Sequence, residues 1–421
     1  MYLALLLFFL TYVLMIVFSR KRPLIAVSAA VLFVLLGILP VSKVVDAIDW
    51  NVLMMLAGTM GTVGLFIESK MPNRMADYLL QRCPNVRWVI VVMSLFAGIV
   101  SAFVDNVATV LMIAPVGLAI AKKLDISPVG MLISISVSSN LQGAATLVGD
   151  TTSILLGGYA NMDFMDFFFL NGKISIFWAV ELGALATIPV ILFLFRKDKA
   201  AVQAGEMTEV TDFFPTVLLL SNVLLLIAAS FLPSKPALTN GLICLGLCLI
   251  GVLRLLLKGG DRSFTWKILR EIDYATLFLL AGLFVVIEGI NEAGVIAAVS
   301  KWFVRAGGDN LFLMYTLIVW GSVLLSAFID NIPYVATMLP VISGIASLMG
   351  CEPYVLYFGL LTGSTLGGNL TPIGASANIA TIGILQKNGY TVPTKAFLRI
   401  GVPFTLTAVL CGYFYCWFVW A

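Results

Sequence analysis

Asp105 and Asn106 stand side by side in the apolar stretch Ser101-Ala102-Phe103-Val104-Asp105-Asn106, which runs on to Pro115. The chain repeats itself 225 positions later as Ser326-Ala327-Phe328-Ile329-Asp330-Asn331, running on to Pro340. The acid can hold a cation or a proton, and the neighbouring amide can donate and accept at once. An ionised acid at mid-membrane costs at least ~2.5–3.5 kcal/mol on insertion scales, so two of them in matching places point to a use. The alternative role for each Asp is a cap on a half-helix.

The offset persists downstream. Gly143, Thr146, Gly149 and Ile154 fall on Gly368, Thr371, Gly374 and Ile379. The first of these stretches runs from Asn140 and Gln142 to Asp150, Thr151, Thr152 and Ser153; the second runs from Gly367 through Asn369, Pro372 and Ser376 to Asn378. Glycine lets backbone leave the helix and approach a ligand, and Pro372 stops a helix. Thr, Ser and Asn side chains, with freed carbonyls, suit a hard cation such as Na⁺. Small residues also pack helices closely, but Thr, Asn and Gly at matched offsets favour a site. The candidate binding residues are therefore Asp105, Asn106, Asn140, Thr146, Gly149, Asp150, Asp330, Asn331, Asn369, Thr371, Gly374 and Asn378. Within them, Asp105, Asn106, Thr146, Asp330, Asn331 and Thr371 form the expected Na⁺ set. Asp150 answers to Ala375 in the second half, so it is either a further proton or cation position or a cap; Glu181 has no counterpart.

Such residues need elements that carry them through lipid. Of 421 residues, 61% are hydrophobic and 11% charged, where a soluble chain carries about 25% charged residues. Apolar runs of about 17–22 residues match a hydrocarbon core of ~30 Å. Spans are expected at 2–18, 24–40, 50–68, 174–195, 215–232, 238–256, 273–290 and 398–418. The segments 126–158 and 352–386 are too long and too interrupted for plain crossings and read as broken helices. The segments 88–121 and 311–347, with Asp-Asn in the middle, read as re-entrant hairpins. Ile48-Asp49-Trp50 and Ile272-Asp273-Tyr274 are a further repeated pair, expected to cap helices at the membrane surface. The six cysteines lie outside the repeated motifs and read as small apolar residues. The chain has no histidine, so proton chemistry falls to carboxylates, lysines or tyrosines.

Basic residues orient this layout. With the N-terminus outside, only Lys43, Lys173, Lys235, Lys301 and Arg305 of the 25 Lys and Arg face out, a strong positive-inside bias. The fold expected is an all-α polytopic membrane protein of two inverted-topology repeats, each of about five spans with one re-entrant hairpin and one broken helix. The repeats are 1–196 and 215–421, joined by a cytoplasmic linker at 197–214 that contains Lys199, Glu206 and Glu209. Both termini then lie outside, and a bacterial inner membrane is the expected location.

On these residues the chain resembles the ion transporter superfamily, which holds divalent-anion/sodium symporters, arsenite permeases, NhaD-type Na⁺/H⁺ antiporters and the melanosomal P protein. The resemblance covers nearly the whole chain and lies nearest the arsenite permease, NhaD and P-protein branch. That branch's Gly-Thr-Ile-Gly-Asp-Pro-Pro-Asn type loop reads here Ala145-Thr146-Leu147-Val148-Gly149-Asp150-Thr151-Thr152-Ser153, without its prolines and Asn. The symporter branch has Ser-Asn-Thr at its tips, where this chain has Asp105-Asn106-Val107 and Asp330-Asn331-Ile332. Two acids repel a dicarboxylate unless protonated or paired with Na⁺. The resemblance implies a dimeric protein with a scaffold and an elevator-like moving domain. The resulting expectation is a secondary transporter, not an enzyme, without cofactor or nucleic-acid partner. Its chemistry is Na⁺/H⁺ antiport, with Na⁺ and/or H⁺ as coupling ion; the alternative is sodium- or proton-coupled transport of an anion or metalloid such as arsenite, antimonite or a carboxylate. An intramembrane aspartyl protease also needs two facing acids, but its usual sequence contexts are missing at Asp105 and Asp330. No P-loop motif is present for a primary pump.

Overall fold

The computed structural model describes residues 1–123, 126–201, 207–233, 235–257, 268–270, 272–308 and 310–421. Glu206 and part of the expected linker, together with Lys258, Arg262 and Lys267, lie outside the described residues. In chain order the α-helices are α1 Tyr2–Val17, α2 Arg22–Leu35, α3 Val44–Ala47, α4 Trp50–Glu68, α5 Met71–Leu80, α6 Val86–Ser101, α7 Asn106–Lys123, α8 Val129–Gly143, α9 Thr151–Tyr159 and α10 Ile176–Leu194. There follow α11 Phe214–Ser230, α12 Thr239–Leu257, α13 Tyr274–Glu292, α14 Val295–Gly307, α15 Leu311–Ser326, α16 Asn331–Met349, α17 Tyr354–Gly367, α18 Ser376–Lys387 and α19 Thr394–Trp420. Seven helices among the described residues, α4, α7, α10, α12, α13, α16 and α19, are long and apolar enough to cross a membrane.

The second half repeats the element order of the first. α4 and α13 each have 19 residues, and α6 and α15 each have 16. Their starts are capped alike. Asp49 accepts from Val52 N at 3.0 Å and Asp273 from Thr276 N at 3.1 Å. Asn85 and Asn310, which sequence reading passed over, accept from Trp88 N at 3.2 Å and Leu313 N at 3.1 Å. Each side chain satisfies an amide hydrogen that the first helical turn leaves free.

The helices form two groups. In the first, α4 packs along α12, and α2 along α13. Small residues permit the approach: a Cβ on Gly58 would stand 2.3 Å from the Cys244 carbonyl carbon, and one on Gly282 2.6 Å from that of Ala26. Without a hydrophobic drive between helices in lipid, such close packing supplies the attraction. In the second group α6 pairs with α8, α15 with α17, and α10 with α19. At its centre, Met131–Gly143 and Val355–Gly367 are buried at every residue. Helices that are apolar or small all round belong in such a position.

Several elements differ from the sequence expectations. α2 ends at Leu35 instead of near residue 40, because Gly37 takes the left-handed conformation (φ 68°) and Pro40 follows; left-handed backbone suits glycine and ends a helix. α5 and α14 are additional amphipathic helices that carry the chain from each group to the next. The sequence Asn171-Gly172 makes a two-residue turn between short strands Phe169–Leu170 and Lys173–Ile174, as two successive positive φ values require. The described part of the linker is strapped to the first half rather than loose. Val86 N donates to Ala200 O at 3.0 Å and Arg87 N to Asp198 O at 2.9 Å, while Asp77 accepts from Thr208 N at 2.8 Å.

Candidate functional site

Two short breaks present the acid-amide pairs. α6 ends at Ser101 and α7 begins at Asn106; α15 ends at Ser326 and α16 begins at Asn331. Asp105 Oδ2 accepts from Val107 N at 3.0 Å and Ala108 N at 3.2 Å, and Asp330 Oδ1 accepts from Ile332 N at 3.2 Å. Both acids therefore do cap a helix. Asn106 and Asn331 are each 5% exposed.

The broken helices brace these tips in the same way twice. α8 stops at Gly143 and α9 starts at Thr151; α17 stops at Gly367 and α18 starts at Ser376. Thr146 Oγ1 donates to Ala102 O, and Thr371 Oγ1 donates to Ala327 O. Gly149 and Gly374 lie where no side chain fits. A Cβ on Gly149 would be 2.6 Å from Gly143 O and 2.8 Å from both Ala102 O and Ser101 O. One on Gly374 would be 2.6 Å from Gly368 O and 2.8 Å from both Ala327 O and Ser326 O. The duplicated Thr and Gly are thus the means by which each break docks on its tip.

Amides then join the two halves. Asn106 Nδ2 donates to Asn140 Oδ1 at 2.9 Å. Asn140 Nδ2 donates onward to Thr365 O at 2.6 Å and to Asn369 Oδ1 at 3.1 Å. Asn369 Nδ2 returns to Val137 O at 2.9 Å. Asn378 accepts from Ser136 Oγ at 2.7 Å and donates to Gly368 O at 3.1 Å. Thr152 donates to Asp150 Oδ2 at 2.7 Å and meets Thr365 Oγ1 at 3.0 Å. Asn140, Asn369 and Asn378 are fully buried, where a polar group without a partner costs ~1–3 kcal/mol.

A cavity of about 410 Å³ lies where the tips meet the first helix group. Of the expected site residues it takes Asp105, Asn106, Asp150 and Asn331. Asn140, Thr146, Gly149, Asn369, Thr371, Gly374 and Asn378 are not on its wall; they form the bracing behind it. Asp330 is not on the wall either. Its Oδ2 meets Arg22 Nη1 at 2.5 Å, with side-chain exposures of 12% and 21%. By the positive-inside pattern Arg22 belongs with the cytoplasmic charges, and nothing in its local sequence separates it from Arg20 and Lys21. The cavity wall also takes Thr151 and Ser376 from the broken-helix motifs, the cap Asp273, and Thr59, Gly64 and Thr276, for which the sequence offers no signal. Asp273 caps α13, as its position before an apolar run indicated, but it faces this cavity instead of a bare membrane surface. No Lys or Arg lines the cavity among the described residues, and no group of three His, Cys, Asp or Glu there is arranged to hold a metal.

A second cavity, of about 560 Å³, lies at the other end of the same helix group. Its wall holds Asp49, Val52, Ile287, Glu288 and Asn291. The first cavity holds Asp273, Thr276, Val63, Gly64 and Ile67. Each residue of one set is 224 positions from its fellow in the other. From the second group, however, the second cavity takes residues farther along the helices, including Tyr159, Leu339 and Ser343, and neither Asp-Asn pair. At its edge, Glu292 bonds the Lys43 ammonium and, with Glu288 adding a smaller pull, holds it above the ordinary lysine value.

Comparison with known proteins places this architecture. The family profile described as citrate transporter (CitMHS) matches residues 12–363. An uncharacterized transporter of Mycobacterium tuberculosis (strain ATCC 25618 / H37Rv) is 31% identical over 379 residues, covering 88% of this chain and 86% of the relative. The P protein of Homo sapiens is 26% identical over 454 residues, covering 89% of this chain and 54% of the relative. Among solved structures, the YdaH transporter of Alcanivorax borkumensis superposes with a TM-score of 0.61 at 14% identity, covering 89% of this chain and 86% of that one. MtrF of Neisseria gonorrhoeae, from a class of antimetabolite efflux pumps, gives a TM-score of 0.56 at 16% identity, over 88% and 81% of the two chains. These two likenesses speak to the fold alone. An all-helical bundle with seven membrane-length helices and a polar cavity at duplicated breaks, matched over most of its length, makes this chain an integral membrane transporter of the citrate transporter (CitMHS) family.

Proposed function

We propose that this chain is a secondary active transporter that exchanges Na⁺ for H⁺ at the cavity between the two tips. The observation that carries the reading is the chemistry of the wall. Asp105, Asp150 and Asp273 bring three carboxylates, Asn106, Asn331, Thr151 and Ser376 bring neutral oxygens, and no Lys or Arg joins them among the described residues. Hard-cation sites are built from such oxygens. A carboxylate satisfied by either Na⁺ or a proton, but not by both, yields exchange without further machinery, because either ion neutralises the charge before the site crosses the membrane.

The matched walls of the two cavities support alternating access. In this reading the halves are inverted repeats, the paired helices around the tips are re-entrant hairpins, and the first helix group is a fixed scaffold. The tips move as one body from the cavity around Asp273 to the equivalent position around Asp49. Both termini then lie outside a bacterial inner membrane, and the working unit is a homodimer.

A second reading, coupled transport of an anion or metalloid, draws support from the family description as citrate transporter. A multivalent carboxylate would enter this acidic cavity together with cations that neutralise Asp105 and Asp150. The deciding experiment reconstitutes the full chain in proteoliposomes with a pH-sensitive dye inside. Na⁺ or Li⁺ added alone is expected to drive proton movement. Proton movement that appears only when citrate or arsenite is also present would replace exchange with the second reading.

A further inference from the structure

We infer that Arg22 is the resident counter-ion of Asp330 and so makes the duplicated acids unequal: Asp105 meets the transported ion, while Asp330 ties the second tip to the N-terminal helix pair. The role given to Asp105 rests on the exchange reading above; the pairing does not.

Both oxygens of Asp330 are occupied. Oδ1 caps α16 through Ile332 N at 3.2 Å, and Oδ2 takes the guanidinium at 2.5 Å. Arg22 is itself anchored, since its Nε donates to Met15 O at 3.3 Å. The same helix pair grips the same first turns of α16 a second time. Tyr12 donates its hydroxyl hydrogen to Pro333 O at 2.6 Å and also meets Thr337 Oγ1. The contact is therefore a built junction between α1–α2 and the second tip.

Among the described residues the first tip has no such junction. Among the described residues Asp105 forms no ion pair, and its Oδ2 serves both capping amides. Its side chain faces the 410 Å³ cavity, from whose wall Asp330 is missing. In a medium of low dielectric constant a closed ion pair carries little field outward, whereas a lone carboxylate attracts the nearest cation. While the tips stand on the Asp273 side, exchanging the guanidinium for a transported ion would leave the largely buried Arg22 without its counter-charge, which is costly. Because α1–α2 belongs to one helix group and Asp330 to the other, the pair favours the Asp273 side and must part whenever the tips move toward Asp49. Among the described residues the equivalent helices α11–α12 offer the first tip no ion pair.

The test compares Arg22→Gln, Asp330→Asn, the double variant and Arg22→Lys, each in the full chain. Thermal melting in detergent needs no substrate. Each single neutral variant is expected to lower Tm, the double variant to recover most of the loss, and Arg22→Lys to lose least. Flux supplies a readout that a merely structural contact would not rescue. Arg22→Gln, which frees a second tip acid, is expected to lower Na⁺-driven proton flux by about tenfold, and the double variant to regain most of it. Losses in the double variant equal to the sum of the single losses, in melting or in flux, would overturn the pairing. Wild-type vesicles without Na⁺-driven flux would overturn the exchange reading instead, and the melting cycle would still decide the pair.

Discussion

Asn140 donates its amide hydrogen to Asn369 Oδ1 at 3.1 Å, across 229 positions of chain. The two residues come from the broken helices of opposite halves, and Asn140 also accepts from Asn106 at the first tip. Replacing Asn140 by Ala would leave Asn106 Nδ2 and Thr365 O without this partner inside the buried core. At ~1–3 kcal/mol for each stranded group, Asn140→Ala is expected to cost several kcal/mol and to lower Tm sharply in scanning fluorimetry. A melting point equal to that of the wild type would mean that the web is not what joins the halves.

Gly149→Ala and Gly374→Ala are expected to fail equally. Each new methyl would meet three backbone carbonyl oxygens at 2.6–2.8 Å, and backbone held by helices on both sides cannot give way cheaply. Gly383→Ala is the control, since a Cβ there meets nothing within 4 Å; alanine also favours the helix by ~1 kcal/mol over glycine. Expression and monodispersity in size-exclusion chromatography report the outcome. Normal behaviour of either variant at 149 or 374 would show that the break does not dock so tightly.

Much of this was readable in the letters. Asp105-Asn106 and Asp330-Asn331 marked the breaks because an acid inside an apolar run has few other uses, and Asp49 and Asp273 announced helix starts by standing before apolar runs. What could not be read was pairing across hundreds of residues. Arg22 lies 308 positions from Asp330, and its neighbours Arg20 and Lys21 are chemically alike. The wall around Thr59 and Gly64 comes from a helix whose sequence is apolar on every side, so no period marks the face that meets the tips. The oxygens of Thr146 and Thr371 suit a cation by residue type alone. That their hydroxyls also brace Ala102 and Ala327 depends on backbone positions, which residue type does not reveal.

That bracing separates a clamp from a ligand. Thr146→Ser keeps the hydroxyl and is expected to preserve Tm and flux, whereas Thr146→Val strands the Ala102 carbonyl and is expected to lose about 1–3 kcal/mol of stability. Normal melting of Thr146→Val with an altered Na⁺ requirement would return Thr146 to the ligand set.

Glu288 stands where the equivalent cavity has Gly64. If the tips visit both cavities, they meet this additional acid on one side of the membrane only. Glu288→Gln is then expected to change the half-saturating Na⁺ concentration severalfold from that side and to leave the opposite side near wild type, as measured in oriented vesicles. Equal shifts from both sides would count against alternating use of the two cavities.

The central claim is that Asp105 is the acid for which Na⁺ and H⁺ compete. Its most direct test is Na⁺-driven proton flux in proteoliposomes, wild type against Asp105→Asn, across a range of pH. The wild type is expected to need more Na⁺ as pH falls, because protons then occupy the acid, and Asp105→Asn is expected to carry no Na⁺-driven flux at any pH. Flux through Asp105→Asn equal to wild type, with the same dependence on pH, would contradict the account.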